Sequence, residues 1–416
     1  MINYDSPTIL KKAVLSLHLL DPLIKKITIF KNKNVSFSLK DLPNELNTEI
    51  INIKNEDVGD SLNNYIPKIK SPFVLFLNNH QFLIPSIKNF CINDRYSIIT
   101  APQHFKNIKI ECPFIVRTSF LKQTRFFLKH QIPFKEAILY AWLKENCDFK
   151  MISLDREVTR QQYTKNLIKK MEFINKYHFK KKSNETRKPT LSVIIANYNM
   201  ENYIETAVSS YLLQNESADQ LVVVDDGSTD NSIKCLESWK QTLNFKLLSI
   251  NKNIGKARAL NYALPYVNSD YILELDADDW LDPDAVFTIK NYLKTISEDV
   301  SVLYGNLRNW KQIEEYGVKF MHIKKGKQVT NEDELLSYSF PLGPRIYNKS
   351  ALNTIGGFPI IRFEDGRLYE DVSVLRELIN FGRLLYCDFT VYNTRQHQAS
   401  ITKRHYSKWN DYLKYI

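Results

Sequence analysis

The stretch YILELDADDWLDPDAVFTIKNY, residues Tyr271–Tyr292, decides the fold of this 416-residue chain more than any other. An apolar run ends in the acids Asp276, Asp278 and Asp279, and a helical pattern follows Pro283. Carboxylates at the end of a buried strand are costly unless positive charge lies among them. Hard divalent cations such as Mg²⁺ and Mn²⁺ take oxygen ligands and commonly also hold substrate phosphates. The stretch therefore predicts a strand that ends in a divalent-metal site.

A helix cap is the alternative explanation for the acids of this stretch. Asp282 and Asp284 flank Pro283, as is typical of a helix N-terminus. Capping accounts for those two acids. It does not account for Asp276 and Asp278, which precede Trp280.

The bulk composition indicates a globular protein with a sizeable core. Hydrophobic residues make up 44% of the chain, and its length suggests two or three domains. No apolar run is long enough to span a bilayer, and the N-terminal MINYDSPTILKK lacks the pattern of a secretion signal. The five cysteines have a spacing that suits neither a disulfide framework nor a zinc site. We therefore expect a cytoplasmic protein.

The net charge of +11 suggests an anionic partner. No nucleic-acid-binding module is recognisable, so we expect no nucleic-acid partner. Residues 166–189 are predicted to be a basic helical linker. One interpretation is a solvated linker. The other is an amphipathic helix that contacts an anionic membrane at the inner face of the cell, because apolar residues recur there at helical spacing. Those residues are Leu167, Ile168, Met171 and Ile174.

Strand and helix signals alternate from Thr190 onward. The strand-like runs are LSVIIANYN, QLVVVDDGSTD, FKLLSIN and SDYILELDADD, and the helical ones include ENYIETAVSSYLLQ and GKARALNYALPYV. This alternation predicts an α/β fold with a Rossmann-like, mostly parallel sheet and helices on both faces. Right-handed crossovers place the carboxyl ends of the strands at one edge, where open sheets bind ligands.

Polar residues collect at that predicted edge. The first strand is followed by ANYNMEN rather than GxGxxG, which disfavours a dehydrogenase. A carboxylate at a strand end can accept hydrogen bonds from a base or ribose, and cations at a helix N-terminus suit a diphosphate. Solvation at the surface is the alternative for the cations. The donor-binding candidates at this stage are Asn197, Asn199, Asp226, Lys256, Arg258 and Asp276.

The segments VIIANYN, VVVDDGSTDNS, NIGKARALNYAL and LELDADDWLDPDAV, in this order, resemble the inverting family 2 glycosyltransferases. The resemblance covers about residues 190–400 and implies a GT-A fold, a nucleotide-sugar donor, a divalent metal and inversion at the anomeric carbon. Ala196 departs from the pattern, because the family often has proline there.

The resemblance also implies roles for residues downstream of Asp284. In GRLYEDVSVLRELINFG, Asp371 would be the general base and Glu370 would orient or contact the acceptor. In TRQHQASIT, His397 would join Asp276 and Asp278 as a metal ligand, and Arg395 would neutralise phosphate charge. Helix capping by the two acids and a structural histidine are the alternatives. The acceptor-side candidates are Trp280, which is equally compatible with a core position, and Arg345.

The first part of the chain resembles a degenerate copy of the second. SPFVLFLNNHQFLIPSIKNF, from Ser71, aligns with the stretch from Ser269, so that Asn78 and His80 replace Asp276 and Asp278. No strand is predicted before Thr8. The remaining replacements are Lys31 and Asn32 for the strand-end acids, Glu136 for Glu370, Ala137 for Asp371 and Gln162 for His397.

The predicted organisation is therefore a pseudo-enzyme domain, 1–165, the linker 166–189 and a catalytic GT-A domain, 190–416. We expect transfer of a sugar from a UDP-sugar to a hydroxyl of a glycan or lipid-linked oligosaccharide, in bacterial surface polysaccharide or lipooligosaccharide synthesis, with Mn²⁺ or Mg²⁺. The alternatives are a non-catalytic protein that binds sugar-nucleotides or glycans, and a processive polymerase. The first domain would serve packing, acceptor binding or oligomerisation.

Overall fold

A computed structural model describes the chain except for residues 33–46, 90–94, 106–107, 147–149, 162–163, 178–188, 314–316, 339–340 and 398–407. The chain divides into two compact units, Met1–Phe179 and Lys180–Ile416. Gln162, predicted to replace His397, lies outside the described residues. None of the helices in the described part is both long enough and apolar enough to cross a bilayer.

The second unit alternates strands and helices as predicted through its first half. Its strands are β9 (Leu191–Asn197), β10 (Gln220–Asp225), β11 (Lys246–Ser249), β12 (Tyr271–Asp276), β13 (Trp280–Leu281), β14 (Val300–Ile313), β15 (Gly317–Lys324), β16 (Ile346–Asn348) and β17 (Arg383–Gln396). Its helices are α6 (Ile204–Leu212), α7 (Ser232–Lys240), α8 (Lys256–Ala263), α9 (Ala285–Leu293), α10 (Glu332–Leu336), α11 (Lys349–Thr354), α12 (Glu370–Phe381) and α13 (Trp409–Tyr415).

These strands form one sheet in the order β11-β10-β9-β12-β16-β14-β17-β13, with β15 on β14. The four strands predicted from sequence are mutually parallel. Beyond β12 the prediction of a mostly parallel sheet is wrong, because β16 runs antiparallel between β12 and β14. The apolar runs of β9 and β10 arise because helices cover both faces of a parallel sheet. Along these two strands every residue from Leu221 to Asp225, and all but Ala196 in β9, is buried.

The order of the strands places a topological switch point between β9 and β12. From β9 the chain first builds outward through β10 and β11, and then returns to the other side of β9 with β12. In open α/β sheets the crevice beyond the carboxyl ends of the strands at such a point is where ligands bind. The residues that end β9 and β12 are Asn197 and Asp276.

The first unit is built from shorter elements. Its strands are β1 (Ile27–Lys31), β2 (Thr48–Asn52), β3 (Phe73–Leu75), β4 (Gln81–Leu83), β5 (Ile98–Phe105), β6 (Ile108–Arg117), β7 (Met151–Ser153) and β8 (Thr159–Gln161). Its helices are α1 (Pro7–Ser16), α2 (Val58–Tyr65), α3 (Thr118–Leu121), α4 (Ile138–Glu145) and α5 (Lys165–Ile174).

The pairing of strands in the first unit follows the same order as in the second. The order β3-β6-β5-β7 has antiparallel, antiparallel and parallel pairs in succession, and so does β12-β16-β14-β17. The pair β1–β2 is parallel, like β10–β11. The register of the strands repeats as well. In the first unit Ile115 is paired with Leu75 on one side and with Ile99 on the other. In the second unit Ile346 is paired in the same way with Leu273 and Leu303.

The prediction that no strand precedes Thr8 needs a correction. Ile2 forms a parallel bridge with Asn78, and its N–H donates to Leu77 O at 3.1 Å. On the other side Phe30 N donates to Met1 O at 3.0 Å. Residues 1–2 thus lie between β1 and the chain after β3, which is the position that β9 has between β10 and β12. Two residues are too short for an apolar run, so the sequence pattern did not reveal them.

The helix predicted within 166–189 forms, but its apolar face is not free. In α5, Leu167, Met171 and Ile174 are buried within the first unit. Lys170 is also buried and pairs with Glu136 at 2.9 Å. The apolar face of this helix is therefore not exposed for contact with a membrane, and the membrane contact predicted for this part of the chain stays untested.

Candidate functional site

A cluster of acids and cations lies at the carboxyl ends of the strands of the second unit. Lys256, the first residue of α8, is at its centre. Its Nζ lies 2.7 Å from Glu274, 2.5 Å from Asp276 and 3.6 Å from Glu370. Burial opposes its charge, but the three carboxylates raise the pKa of Lys256 well above its ordinary value. Lys256 is thus a fixed cation that holds three acids together.

Glu274 and Arg345 form the buried base of this cluster. The guanidinium binds the carboxylate in a bidentate manner, with Nε and Nη2 each 3.0 Å from a Glu274 oxygen. Tyr347 also donates to Glu274, at 2.9 Å. Burial would raise the pKa of Glu274, but Arg345 and Lys256 outweigh it and hold the pKa well below its ordinary value. Bidentate Arg–carboxylate pairs are among the strongest polar contacts in proteins.

Arg345 was predicted to contact the acceptor, and its position corrects that assignment. Its side chain is only 8% exposed and is committed to Glu274. It also approaches Asp371 at 3.7 Å and Asp276 at 3.9 Å. The residue therefore supports the acids of the site from beneath and does not present a free surface to a sugar.

Glu370 and Asp371 open α12, and their surroundings differ. Burial and the charge of Asp371 raise the pKa of Glu370 to about 7, with Lys256 opposing the shift. Asp371 accepts a hydrogen bond from the N–H of Val372 at 2.9 Å, and its side chain is 21% exposed. The second Asp371 oxygen lies 3.7 Å from Arg345, and Glu370 lies 3.6 Å from Lys256, so each acid faces a different cation.

Asp278 and His397 lie side by side, with His397 Nε2 2.9 Å from Asp278 Oδ2. The two residues are 119 positions apart in sequence, and the predicted ligand pair is brought together. Asp276, the third predicted ligand, instead lies against Lys256. Within the described residues no group of three or more metal-ligating side chains is found, so the three-residue site is not assembled as predicted.

Arg395 holds this pair in place from behind. The side-chain Nε of Arg395 donates to the backbone oxygen of Asp278 at 2.9 Å. The backbone N–H of Arg395 donates to the Asp279 carboxylate at 2.7 Å. The guanidinium lies over the rings of Tyr203 and Trp280 at 5.0 and 4.8 Å. Arg395 was predicted to bind donor phosphate. The structure places it as a support for the Asp278 segment.

Three other predicted donor residues are engaged by the loops of the unit. Asp226 accepts from the N–H groups of Ile254 and Gly255 at 2.8 and 2.9 Å, so its carboxylate fixes the turn before α8. Arg258 donates to Asp365 O at 2.9 Å. Asn199 accepts from Thr229 N at 2.7 Å. These contacts position the three side chains, and their role in donor binding stays a prediction.

Asn197 lies at the switch point, and its side-chain oxygen is available as a hydrogen-bond acceptor. Its Nδ2 donates to Asp225 at 2.6 Å, and among the described residues its buried Oδ1 has no hydrogen-bond partner. Such atoms are rare in folded proteins unless water or a ligand meets them. Asn197 therefore keeps its place as a donor-site candidate.

Trp280 is a core residue, which decides between the two interpretations given above. Its side chain is fully buried, and it packs against Trp310 with ring centroids 5.9 Å apart. It lies in β13, which pairs with the distant β17. An indole in this position has no open face for an acceptor sugar.

Sequence reasoning missed two residues of the site, Glu274 and Tyr392. Glu274 is an acid inside a buried strand, and such an acid requires a partner; that signal was available in LELD. The hydroxyl of Tyr392, 116 positions later in the chain, accepts a hydrogen bond from the backbone N–H of Asp276 at 2.9 Å. No local pattern marks that contact.

The raised pKa of Glu370 predicts a pH effect on stability. A carboxyl whose pKa is raised in the folded state stabilises the fold below its unfolded pKa of 4.5, and this contribution is lost as pH rises through about 7. Compared with Glu370→Gln, the wild type should lose stability between about pH 5 and 8, at no more than about 1.4 kcal/mol per pH unit. Thermal unfolding of both proteins across this range measures the difference. The exposed Glu298→Gln is the matched control; equal pH profiles for all three would contradict the assignment.

Part of the chain is similar in sequence to known glycosyltransferases. The chain is 27% identical over 229 residues to the glycosyltransferase GlyA of Streptococcus pneumoniae, covering 53% of this chain and 32% of that protein. It is 27% identical over 202 residues to a poly-β-1,6-N-acetyl-D-glucosamine synthase of Staphylococcus epidermidis, covering 46% of each. The chain thus spans about a third to a half of these relatives.

The similarity to solved structures is lower in sequence identity, and the TM-scores are low. S. aureus TarS 1–349 in complex with UDP has a TM-score of 0.39 at 24% identity, over 50% of this chain and 60% of that one. A mannosyltransferase from Pyrobaculum calidifontis with GDP-Man and Mn²⁺ has a TM-score of 0.38 at 20% identity, over 53% and 61%.

The family comparison confirms the resemblance found in sequence for the part of the chain that forms the switch point. Glu370, Asp371 and His397 lie beyond the matched residues, so the match does not test the roles predicted for them. Residues 192–365 match the glycosyl transferase family 2 model, and this part of the chain is a glycosyl transferase family 2 domain.

Proposed function

We propose that the second unit transfers a sugar, with inversion, from a UDP-sugar to a hydroxyl of a glycan or lipid-linked acceptor. The observation that carries the proposal is the set of acids and cations at the switch point, centred on Lys256. The uridine nucleotide follows from the family resemblance. The cytoplasmic setting and a role in bacterial surface polysaccharide synthesis are part of the same proposal.

The donor set of Asp278 and His397 fits a divalent cation. A carboxylate oxygen and an imidazole nitrogen lie 2.9 Å apart, and both ligand types suit Mn²⁺. Asp278 is 22% exposed and His397 4%, so the carboxylate faces the opening. With only two protein ligands, the remaining positions are left for diphosphate oxygens and water. When bound, the cation would supply charge neutralisation for the diphosphate.

Transfer with inversion requires a base on the acceptor side. The acceptor oxygen forms a bond to the anomeric carbon while the bond from that carbon to the diphosphate breaks, and the diphosphate leaves with the electron pair. Asp371 takes the proton of the acceptor hydroxyl, as a partly exposed carboxylate at the mouth of the site allows. Glu370, with a pKa of about 7, donates or accepts beside it and orients the acceptor.

The direct test is a donor screen with the full chain. Turnover is measured with UDP-N-acetylglucosamine first, because of the synthase relative, and then with other UDP-, GDP- and dTDP-sugars. One donor should be hydrolysed or transferred much faster than the rest. Binding of a donor without turnover on any acceptor would favour a non-catalytic binding protein instead. Chains of many sugars from a single encounter would favour a processive polymerase.

We also propose that the first unit is a degenerate copy of the second. Support comes from the shared strand order and the shared register of β3-β6-β5 and β12-β16-β14. In the sequence alignment Asn78 and His80 stand in place of Asp276 and Asp278, and Ala137 stands in place of Asp371. Without carboxylates at these three positions, the first unit would lack the counterparts of the proposed cation ligand and the proposed base.

A further inference from the structure

The first unit has a polar cluster at its own switch point. Residues 1–2 lie between β1 and the chain after β3, so Asn3 and Asn78 end neighbouring segments there. Asn3 Nδ2 donates to Asn78 Oδ1 at 2.9 Å. Gln161, in β8, donates to the backbone oxygen of Asn79. The rule that places ligands at the carboxyl ends of such strands applies to this point as well.

Each side chain of the cluster has a buried polar atom that is left over. Asn3, Asn78 and Asn79 are 6%, 2% and 2% exposed. A buried atom without a partner costs free energy, and native proteins leave few of them unless water or a ligand completes the bond. Among the described residues these atoms have no hydrogen-bond partner: Asn3 Oδ1, Asn78 Nδ2, Asn79 Oδ1, His80 Nδ1 and Gln161 Oε1.

The cluster carries no net charge. The nearest carboxylates are neutralised within the unit, since Asp5 pairs with Lys135 at 2.7 Å and Glu136 with Lys170 at 2.9 Å. Burial lowers the pKa of His80, which favours the neutral imidazole. This differs from the second unit, where the Asp278 carboxylate lies beside His397 in the candidate cation site.

The mixture of donors and acceptors identifies the class of ligand. A cation needs acceptors alone, and a phosphate needs donors alone. In this cluster the acceptors without a partner in the described part of the chain are Asn3 Oδ1, Asn79 Oδ1 and Gln161 Oε1. The donor without a partner there is Asn78 Nδ2, and His80 Nδ1 is the remaining nitrogen. Hydroxyl groups both donate and accept, so a molecule rich in hydroxyls satisfies such a set. We propose that the first unit binds an uncharged saccharide at the cluster of Asn3, Asn78, Asn79, His80 and Gln161.

This site is separate from the proposed transfer, and its occupation does not depend on turnover. A saccharide bound there would hold a glycan to the protein while the second unit acts. The test therefore measures binding alone, on the full chain, with an N-acetylglucosamine tetrasaccharide as the probe. Isothermal titration calorimetry is run with and without saturating UDP and Mn²⁺.

Two substitutions each remove one of the buried polar atoms that have no partner among the described residues, at positions where the backbone is not in the left-handed region. Gln161→Met lies in a strand, and Asn78→Ala leaves Asn3 Nδ2 its bond to Lys135 O at 3.0 Å. Each should weaken probe binding roughly fivefold or more, as expected for the loss of about one hydrogen bond. Thermal unfolding checks that both variants stay folded. The exposed Asn64→Ala in the same unit is the control and should bind as the wild type does.

The binding measurements distinguish a saccharide site from a cluster that is completed by internal water. Weaker binding in the two variants, with donor turnover unchanged, supports the site. No heat of binding to the wild type, or equal affinity in wild type and both variants, overturns it and leaves internal water as the partner of these atoms. A crystal of the protein with the tetrasaccharide provides the second reading: density in contact with Asn79 and His80 supports the site, and density in the second unit alone overturns it.

Discussion

Asp371→Asn should lower kcat by about 10³-fold, within the range that a positioned general base contributes. The amide is isosteric with the carboxylate and can still accept from Val372 N, so the start of α12 should not change. Arg345 keeps its bidentate pair with Glu274 in this variant, so its buried charge is not left without a partner. What the substitution removes is the capacity to take the acceptor proton.

The measurement pairs turnover of the donor identified by the screen with UDP binding by calorimetry. UDP affinity should stay close to that of the wild type, because Asp371 acts on the acceptor. Asp333→Asn, an exposed acid of the same unit, is the matched control and should keep full activity. Unaltered turnover in Asp371→Asn would remove the residue from the role of base. If Glu370→Gln showed the larger loss, the base would be Glu370.

Asp278→Asn should lower kcat by about 10²-fold or more, because a carboxylate that binds the cation also fixes the charge at the diphosphate. His397→Gln should have a similar effect through the same ion. Since both residues would act on one cation, the double variant should lose little more than either single variant. Their ring-to-carboxylate contact of 2.9 Å is the structural reason for the shared effect.

Activity is titrated with Mn²⁺ after treatment with EDTA for each of these proteins. The wild type should recover fully, and the variants should need more metal for less activity. His322→Gln, an exposed histidine of the same unit, serves as the control. Activity that ignores chelation, or losses that simply multiply in the double variant, would contradict a shared cation.

The sequence predicts the front of the second unit well, for a physical reason. Strands β9, β10 and β12 are buried on both faces, so they appear as continuous apolar runs whose ends are easy to locate. The side chains at those ends, Asn197 and Asp276, follow from the same runs. The glycine and asparagine turns between them are also local signals.

The remainder of the site depends on contacts between distant parts of the chain. Trp280 appears available in sequence, but β17, more than a hundred residues later, covers it. Asp226 appears free, but the backbone of residues 254–255 satisfies it. Arg345 is drawn inward by Glu274, which is 71 positions away. No local pattern contains these partners, so each role required the fold.

The most direct test of this account is a crystal soaked with Mn²⁺ and UDP, with the metal located by its anomalous scattering. We expect the peak beside the Asp278 carboxylate and the His397 ring, with the diphosphate facing Lys256 and the end of β9. A metal bound elsewhere, or a diphosphate bound with Asp278 turned away from it, would contradict the proposed site.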